Sequence, residues 1–159
     1  MSGTDLTIIV GTMTGTAELV AEELRDAFAG RDIGVEILPM DGVDETVFAR
    51  PGPFLICTST YGQGDVPDNG RQFFERLAAV RPDLSAVPYG LIALGDSTYA
   101  QTFCRGGQKF DALLTELGAQ RIGEMLQHDA SAGTIPEEVA IAWAGPWAEA
   151  CFDTRQPAA

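Results

Sequence analysis

Apolar residues fall along the chain in two alternating rhythms. Short, largely apolar segments at Leu6–Val10, Val35–Leu38, Phe54–Cys57, Tyr89–Leu94 and Ile122–Leu126 have the length of strands. Between them the spacing changes to three and four. Leu19, Val20, Leu24, Ala27 and Phe28 mark one helix that closes near Gly30, and Phe73, Phe74 and Leu77 mark a second that stops before Pro82. Phe110, Leu113, Leu114 and Leu117 mark a third, ended by Gly118. Ile135–Phe152 gives the last, with Pro136 in its first turn. Asp44–Arg50 predicts an isolated helical turn.

Five strands alternating with helices predict an α/β fold, a doubly wound parallel sheet covered on both faces. Crossovers in such a sheet are right-handed, and ligands bind beyond the carboxyl ends of the strands near the point where strand order reverses. The loops after strands one, three and four therefore carry the chemistry. They are also unusually rich in Gly, Thr, Tyr and Asp.

The first of these loops is Thr12-Met13-Thr14-Gly15-Thr16-Ala17. It opens a helix, where unpaired N–H groups and the helix dipole favour an anion, and its hydroxyls add donors. No cation appears before Arg25, and neither GxxxxGK[ST] nor GxGxxG is present. A single phosphate monoester suits such a neutral nest; the other reading is an ordinary turn with threonine caps. The second loop, Thr58 to Asn69, carries Ser59, Thr60, Tyr61 and Gly62, an aromatic face beside glycines, with Asp68 or Asn69 in position to cap the next helix. The third runs from Leu94, Gly95 and Asp96 through Tyr99 to Phe103 and Cys104. A flat ring stacked between Tyr61 and Tyr99 would account for both aromatics, which otherwise read as satellite core.

TMTGTAE, STYGQGDVPDN and LGDSTY, in this order, closely resemble the flavodoxin family, in particular MioC-type small flavodoxins and the FMN-binding module of diflavin reductases. The terminal LQHDASAGTIPEEVAIAWAGPW extends the resemblance, which runs from Leu6 to Trp147. It implies a five-stranded sheet in the order 2-1-3-4-5, of the short-chain type. It implies non-covalent FMN with its phosphate on Thr12, Met13, Thr14, Gly15, Thr16 and Ala17. Tyr61 would meet the inner flavin face and Tyr99 the outer. Ser59, Thr60 and Gly62 would line the ring, Leu94, Gly95 and Asp96 would meet its pyrimidine edge, Phe103 and Cys104 would belong to the outer loop, and Asp129 matches an acidic residue near the flavin. Tyr99 to Phe103 is one residue longer than the usual Tyr-x-x-Phe spacing, and Ala17 stands where other members have Thr or Ser.

Composition narrows the role. The chain of 159 residues carries a formal charge of −13, from 10 Lys plus Arg against 23 Asp plus Glu. That surface repels nucleic acid and anionic membranes and steers toward basic partners, if it does not simply serve solubility. No apolar run approaches the ~18 residues of a membrane helix. Cys57, Cys104 and Cys151 form no CxxC, and no signal peptide is visible, which points to the cytoplasm. One domain over residues 1–153 with a flexible tail at 154–159 is expected. No metal site or catalytic residue is expected.

The expected function is that of an electron carrier, a monomer shuttling between an NAD(P)H-dependent flavoprotein reductase, since no NADPH module follows in the chain, and a haem or iron–sulfur enzyme. An NAD(P)H:quinone or nitro reductase of the same fold would need an open flavin face, which Tyr99 would cover. A signalling receiver domain would need acidic residues where Thr12 and Thr58 stand. His128, the single histidine, reads as a solvated loop residue, Cys57 as an inert core thiol, and Trp143 with Trp147 as one core-facing pair. Cys104 beside the outer loop is a candidate redox sensor.

Overall fold

The computed structural model describes residues 5–12, 15–50, 53–59, 68–95, 104–129 and 132–153. In chain order these form β1 (Leu6–Gly11), α1 (Thr16–Ala29), β2 (Val35–Pro39), β3 (Phe54–Thr58), α2 (Asp68–Val80), β4 (Pro88–Gly95), α3 (Arg105–Glu116), β5 (Gln120–Arg121), β6 (Leu126–Asp129) and α4 (Pro136–Asp153). Short 3-10 turns at Met40–Gly42 and Glu45–Ala49 bridge β2 to β3; the second occupies the helical turn expected at Asp44–Arg50. Every strand pair is parallel, in the order β2-β1-β3-β4-β5, with β6 also on β4. This is the predicted doubly wound sheet.

The central strands β1, β3 and β4 are buried on both faces, so successive residues feed two cores. From β1, Ile8 and Val10 pack with α1 and α4, while Ile9 packs with the α2 and α3 side. The α1 stripe of Ala17, Val20, Ala21, Leu24 and Phe28 follows the helical period. On the opposite face α3 lies close against β4, because Gly107 has no side chain: a Cβ there would sit 2.4 Å from that of Ala93. The helix ends where the sequence placed its stop, with Gly118 at φ 101°.

The fifth strand departs from expectation. Instead of Ile122–Leu126, the chain pairs at Gln120–Arg121, leaves the sheet, and returns at Leu126–Asp129. Tyr89 faces Arg121 and Ile92 faces Leu126, so the two β4 residues 90 and 91 are matched by four residues, 122–125. Gly123 at φ 73° makes the outward turn. From α4, the Trp143 indole N–H donates to Glu124 O at 3.1 Å and holds the bulge. Trp143 stacks on Trp147 with ring centroids 5.6 Å apart, and Trp147 lies on Gly90, where a Cβ would come within 2.3 Å of the indole nitrogen. The tryptophan pair is thus part of the core packing, as its spacing implied.

Candidate functional site

The register of the sheet brings the carboxyl ends of β1, β3, β4 and β6 to one edge. Gly11 lies opposite Thr58, Thr58 opposite Ala93, and Gly95 opposite Asp129. Ser59 N–H donates to Gly11 O at 2.9 Å and carries the pairing one residue past the sheet.

Thr12 leaves this edge with its N–H and its hydroxyl both engaged. Its backbone N–H donates to Asn69 Oδ1 at 2.8 Å, and its Oγ1 accepts from Gly15 N–H at 2.9 Å. A hydroxyl that accepts keeps its own proton to donate elsewhere. Gly15 stands at φ 92° directly before α1, in the left-handed region that glycine reaches without strain. Among the described residues no atom lies within 4 Å of where its Cβ would be. Its carbonyl accepts the first helical bond, from Leu19 N–H at 3.0 Å. Cys57 Sγ donates to Ala17 O at 3.5 Å, tying β3 to the first turn of α1.

Ser59 Oγ is buried and finds no hydrogen-bond partner among the described residues. A buried hydroxyl left so costs about 1–3 kcal/mol, which a bound polar group would offset. A positive-φ glycine, a helix start whose sequence carries no Lys or Arg before Arg25 and a hydroxyl orphaned among the described residues suit a phosphate-bearing ligand with a polar ring edge.

On β4, Leu94 is buried and Gly95 half-buried. A Cβ on Gly95 would lie 2.5 Å from the Cys104 backbone nitrogen, so the chain returns against the end of β4 at closest approach. Cys104 is fully buried, with φ 56°. Its Sγ donates to Ala93 O at 3.4 Å and to His128 O at 3.8 Å, so the thiol points into the sheet. Burial, helped by the charge of Asp129, pushes it up to about 12. A thiol so protonated and enclosed is not the reactive thiolate of a redox sensor. Burial alone pushes Cys57 up to about 12, in keeping with an inert core thiol.

Of the residues singled out in the sequence, Thr12, Gly15, Thr16, Ala17, Ser59, Leu94, Gly95, Cys104 and Asp129 flank this edge. Met13, Thr14, Thr60, Tyr61, Gly62, Asp96, Tyr99 and Phe103 lie outside the described residues, as does the tail at 154–159. Two readings need correction. His128 is no solvated loop residue: it lies in β6, 5% exposed, with Nε2 3.0 Å from Thr134 Oγ1. Asn69 is no helix cap: α2 already begins at Asp68, and the Asn69 side chain reaches across to β1. The sequence placed Asn69 next to the right loop but held no sign of a partner 57 residues away.

A separate groove of about 660 Å³ lies between residues 38–50 and α2. Its Arg76 is held by both oxygens of Glu45, at 2.7 and 2.9 Å, and its Arg50 pairs with Glu36.

Residues 8–143 match the flavodoxin family. The chain belongs to the flavodoxin family. It is 42% identical over 156 residues to flavodoxin YqcA of Escherichia coli, covering 90% of this chain and 95% of that protein. It is 38% identical over 143 residues to the protein MioC of the same species, at the same coverage. A cysteine-to-alanine mutant of flavodoxin from Pseudomonas aeruginosa superposes with a TM-score of 0.82 at 35% identity, over 92% of this chain and 97% of that one. Flavodoxins are flavin-dependent electron carriers rather than enzymes, and this chain is one of them. The reductase alternative is not favoured. Among the described residues no helix is long and apolar enough to cross a membrane.

Proposed function

We propose that this flavodoxin carries FMN and shuttles electrons from an NAD(P)H-dependent flavoprotein reductase to a haem or iron–sulfur enzyme. The observation behind the choice of FMN is the cation-free turn at the start of α1, closed by Thr12 and Gly15, on the same edge as the orphaned Ser59 hydroxyl. In this reading Thr12, Met13, Thr14, Gly15, Thr16 and Ala17 hold the phosphate. Ser59, Thr60, Tyr61 and Gly62 take one side of the ring. Leu94, Gly95, Asp96, Tyr99, Phe103 and the backbone of Cys104 take the other, with Asp129 beside it. FMN when bound supplies the chemistry, accepting one or two electrons. The chain orients it, excludes water from its faces and sets the field around it.

The charge of −13 supports steering toward basic partners, which accelerates encounter roughly 10- to 10³-fold at low salt. The three cysteines are free and buried, which supports a reducing cytoplasm. The protein acts as a monomer. The decisive test is the purified protein itself: yellow, with one FMN per chain, and reduced by a flavoprotein reductase at a second-order rate that falls steeply as ionic strength rises. Neutralising Asp65 with Asp68 should lower that rate and flatten its salt dependence while FMN content stays intact. A colourless protein that fails to take up FMN would overturn the reading.

A further inference from the structure

We propose that Asn69 is a positioning residue that presents the turn at Thr12–Ala17 to the phosphate of the cofactor; this rests on the reading above that the turn is the phosphate site. Three observations carry it. First, both ends of the Asn69 amide are used. Oδ1 accepts from Thr12 N–H at 2.8 Å, and Nδ2 donates to Val10 O at 3.4 Å. One end demands an acceptor and the other a donor, so the orientation of the amide is settled by its partners. Second, those partners bracket Gly11, the last residue of β1. Asn69 therefore clamps the strand at the point where it turns into the loop. It does so from the first turn of α2, as a peptide group of a neighbouring strand would. Third, Thr12 passes the constraint on. With its N–H held by Asn69, its Oγ1 holds Gly15 N–H at 2.9 Å, and Gly15 sets the left-handed step into α1. A chain of three hydrogen bonds thus runs from Val10 through Asn69 and Thr12 to the helix start.

Among the described residues the Asn69 side chain hydrogen-bonds Thr12 and Val10 but not Gly15, Thr16 or Ala17, so its effect on a ligand is indirect. Freeing Thr12 N–H lets the entry of the turn relax and mis-aims the N–H groups and hydroxyls that meet the anion. The ring, held by other loops, is affected less. FMN and riboflavin differ only in the phosphate, so their ratio isolates this effect from general loosening.

The experiment titrates flavin-free parent, Asn69→Ala and Asn69→Asp protein with FMN and with riboflavin, following flavin fluorescence. Asn69→Ala should weaken FMN about tenfold while riboflavin shifts less than about threefold, the scale of one hydrogen bond to a charged group felt at second hand. Asn69→Asp keeps an acceptor for Thr12 N–H but loses the Val10 donor and adds a charge. It should also lose FMN selectively, and more so at low salt. Equal losses of FMN and riboflavin would mean a merely structural role and overturn the proposal, as would a variant that keeps the parent's preference for FMN. A parent with no such preference would instead remove the phosphate reading, and this proposal with it. Should Asn69→Ala fail to fold, the uncharged Asn69→Ser decides by the same ratio.

Discussion

Replacing Gly95 with alanine tests how tightly the end of β4 is built. The added methyl carbon would sit 2.5 Å from the Cys104 backbone nitrogen and 3.1 Å from its Sγ. Ordinary contact between such atoms begins near 3.5 Å, so the two segments must part by about 1 Å. Cys104 is poorly placed to yield. Its Sγ is bonded to Ala93 O, its carbonyl accepts from Gln108 N–H at 3.0 Å, and α3 is pressed on β4 through Gly107. The strain falls on the last residue of β4 and its pairing with Asp129. Overpacking of this kind costs about 1–3 kcal/mol. Urea unfolding of the flavin-free protein should show that loss as a lower midpoint at unchanged slope, and FMN affinity should fall with it. Adding Cys104→Ala relieves only the 3.1 Å sulfur contact, not the backbone one at 2.5 Å, so it should not rescue. A Gly95→Ala protein within about 0.5 kcal/mol of the parent would refute the reasoning, and so would rescue by Cys104→Ala.

Gly11→Ala makes an equally short contact, 2.5 Å, but with Met40 Sδ, the far end of a flexible side chain. It should cost less than Gly95→Ala, and a double-mutant cycle with Met40→Ala should show favourable coupling of about 1 kcal/mol. The Cys57 thiol is raised in the folded state from 9.0 to about 12, so the folded protein keeps a proton that the unfolded chain releases. Stability is unaffected by this group below pH 9 and should then fall with rising pH up to about 12, by about 1.4 kcal/mol per pH unit from Cys57 alone. Urea midpoints at several alkaline pH values should fall less steeply in Cys57→Ala. Trp143→Phe keeps the ring stack but frees Glu124 O, and should cost about 0.5–1.5 kcal/mol and raise amide exchange across residues 122–125.

The fold was legible because its central strands are buried on both faces and stand out as short apolar segments between helical periods. Leu6–Val10 and Phe54–Cys57 could be read from residue type alone, within one residue of β1 and β3. The fifth strand could not. Ile122, Met125 and Leu126 look like strand residues, yet the pairing skips 122–125. The reason lies in the backbone turn at Gly123 and in a hydrogen bond from Trp143, 19 positions on. His128 was misplaced for a similar cause: its neighbours Gln127 and Asp129 are polar, but the two-residue period puts His128 on the same face as Leu126, beneath α4. The three candidate loops stand out by composition. Asn69 does not, because a clamp between distant segments leaves no local pattern.

The interruption between β5 and β6 has a consequence for the molecule in company. Any open sheet offers its outermost strands as templates on which another chain can lay a strand of its own. Here one rim has only Gln120 and Arg121 in register, then residues 122–125 without strand partners, then four more. The opposite rim, β2, ends in Pro39, which has no N–H to offer, and its Glu36 is held by Arg50. Neither rim presents a long, flat row of donors and acceptors, so neither offers much of a template on which a strand of another chain could pair.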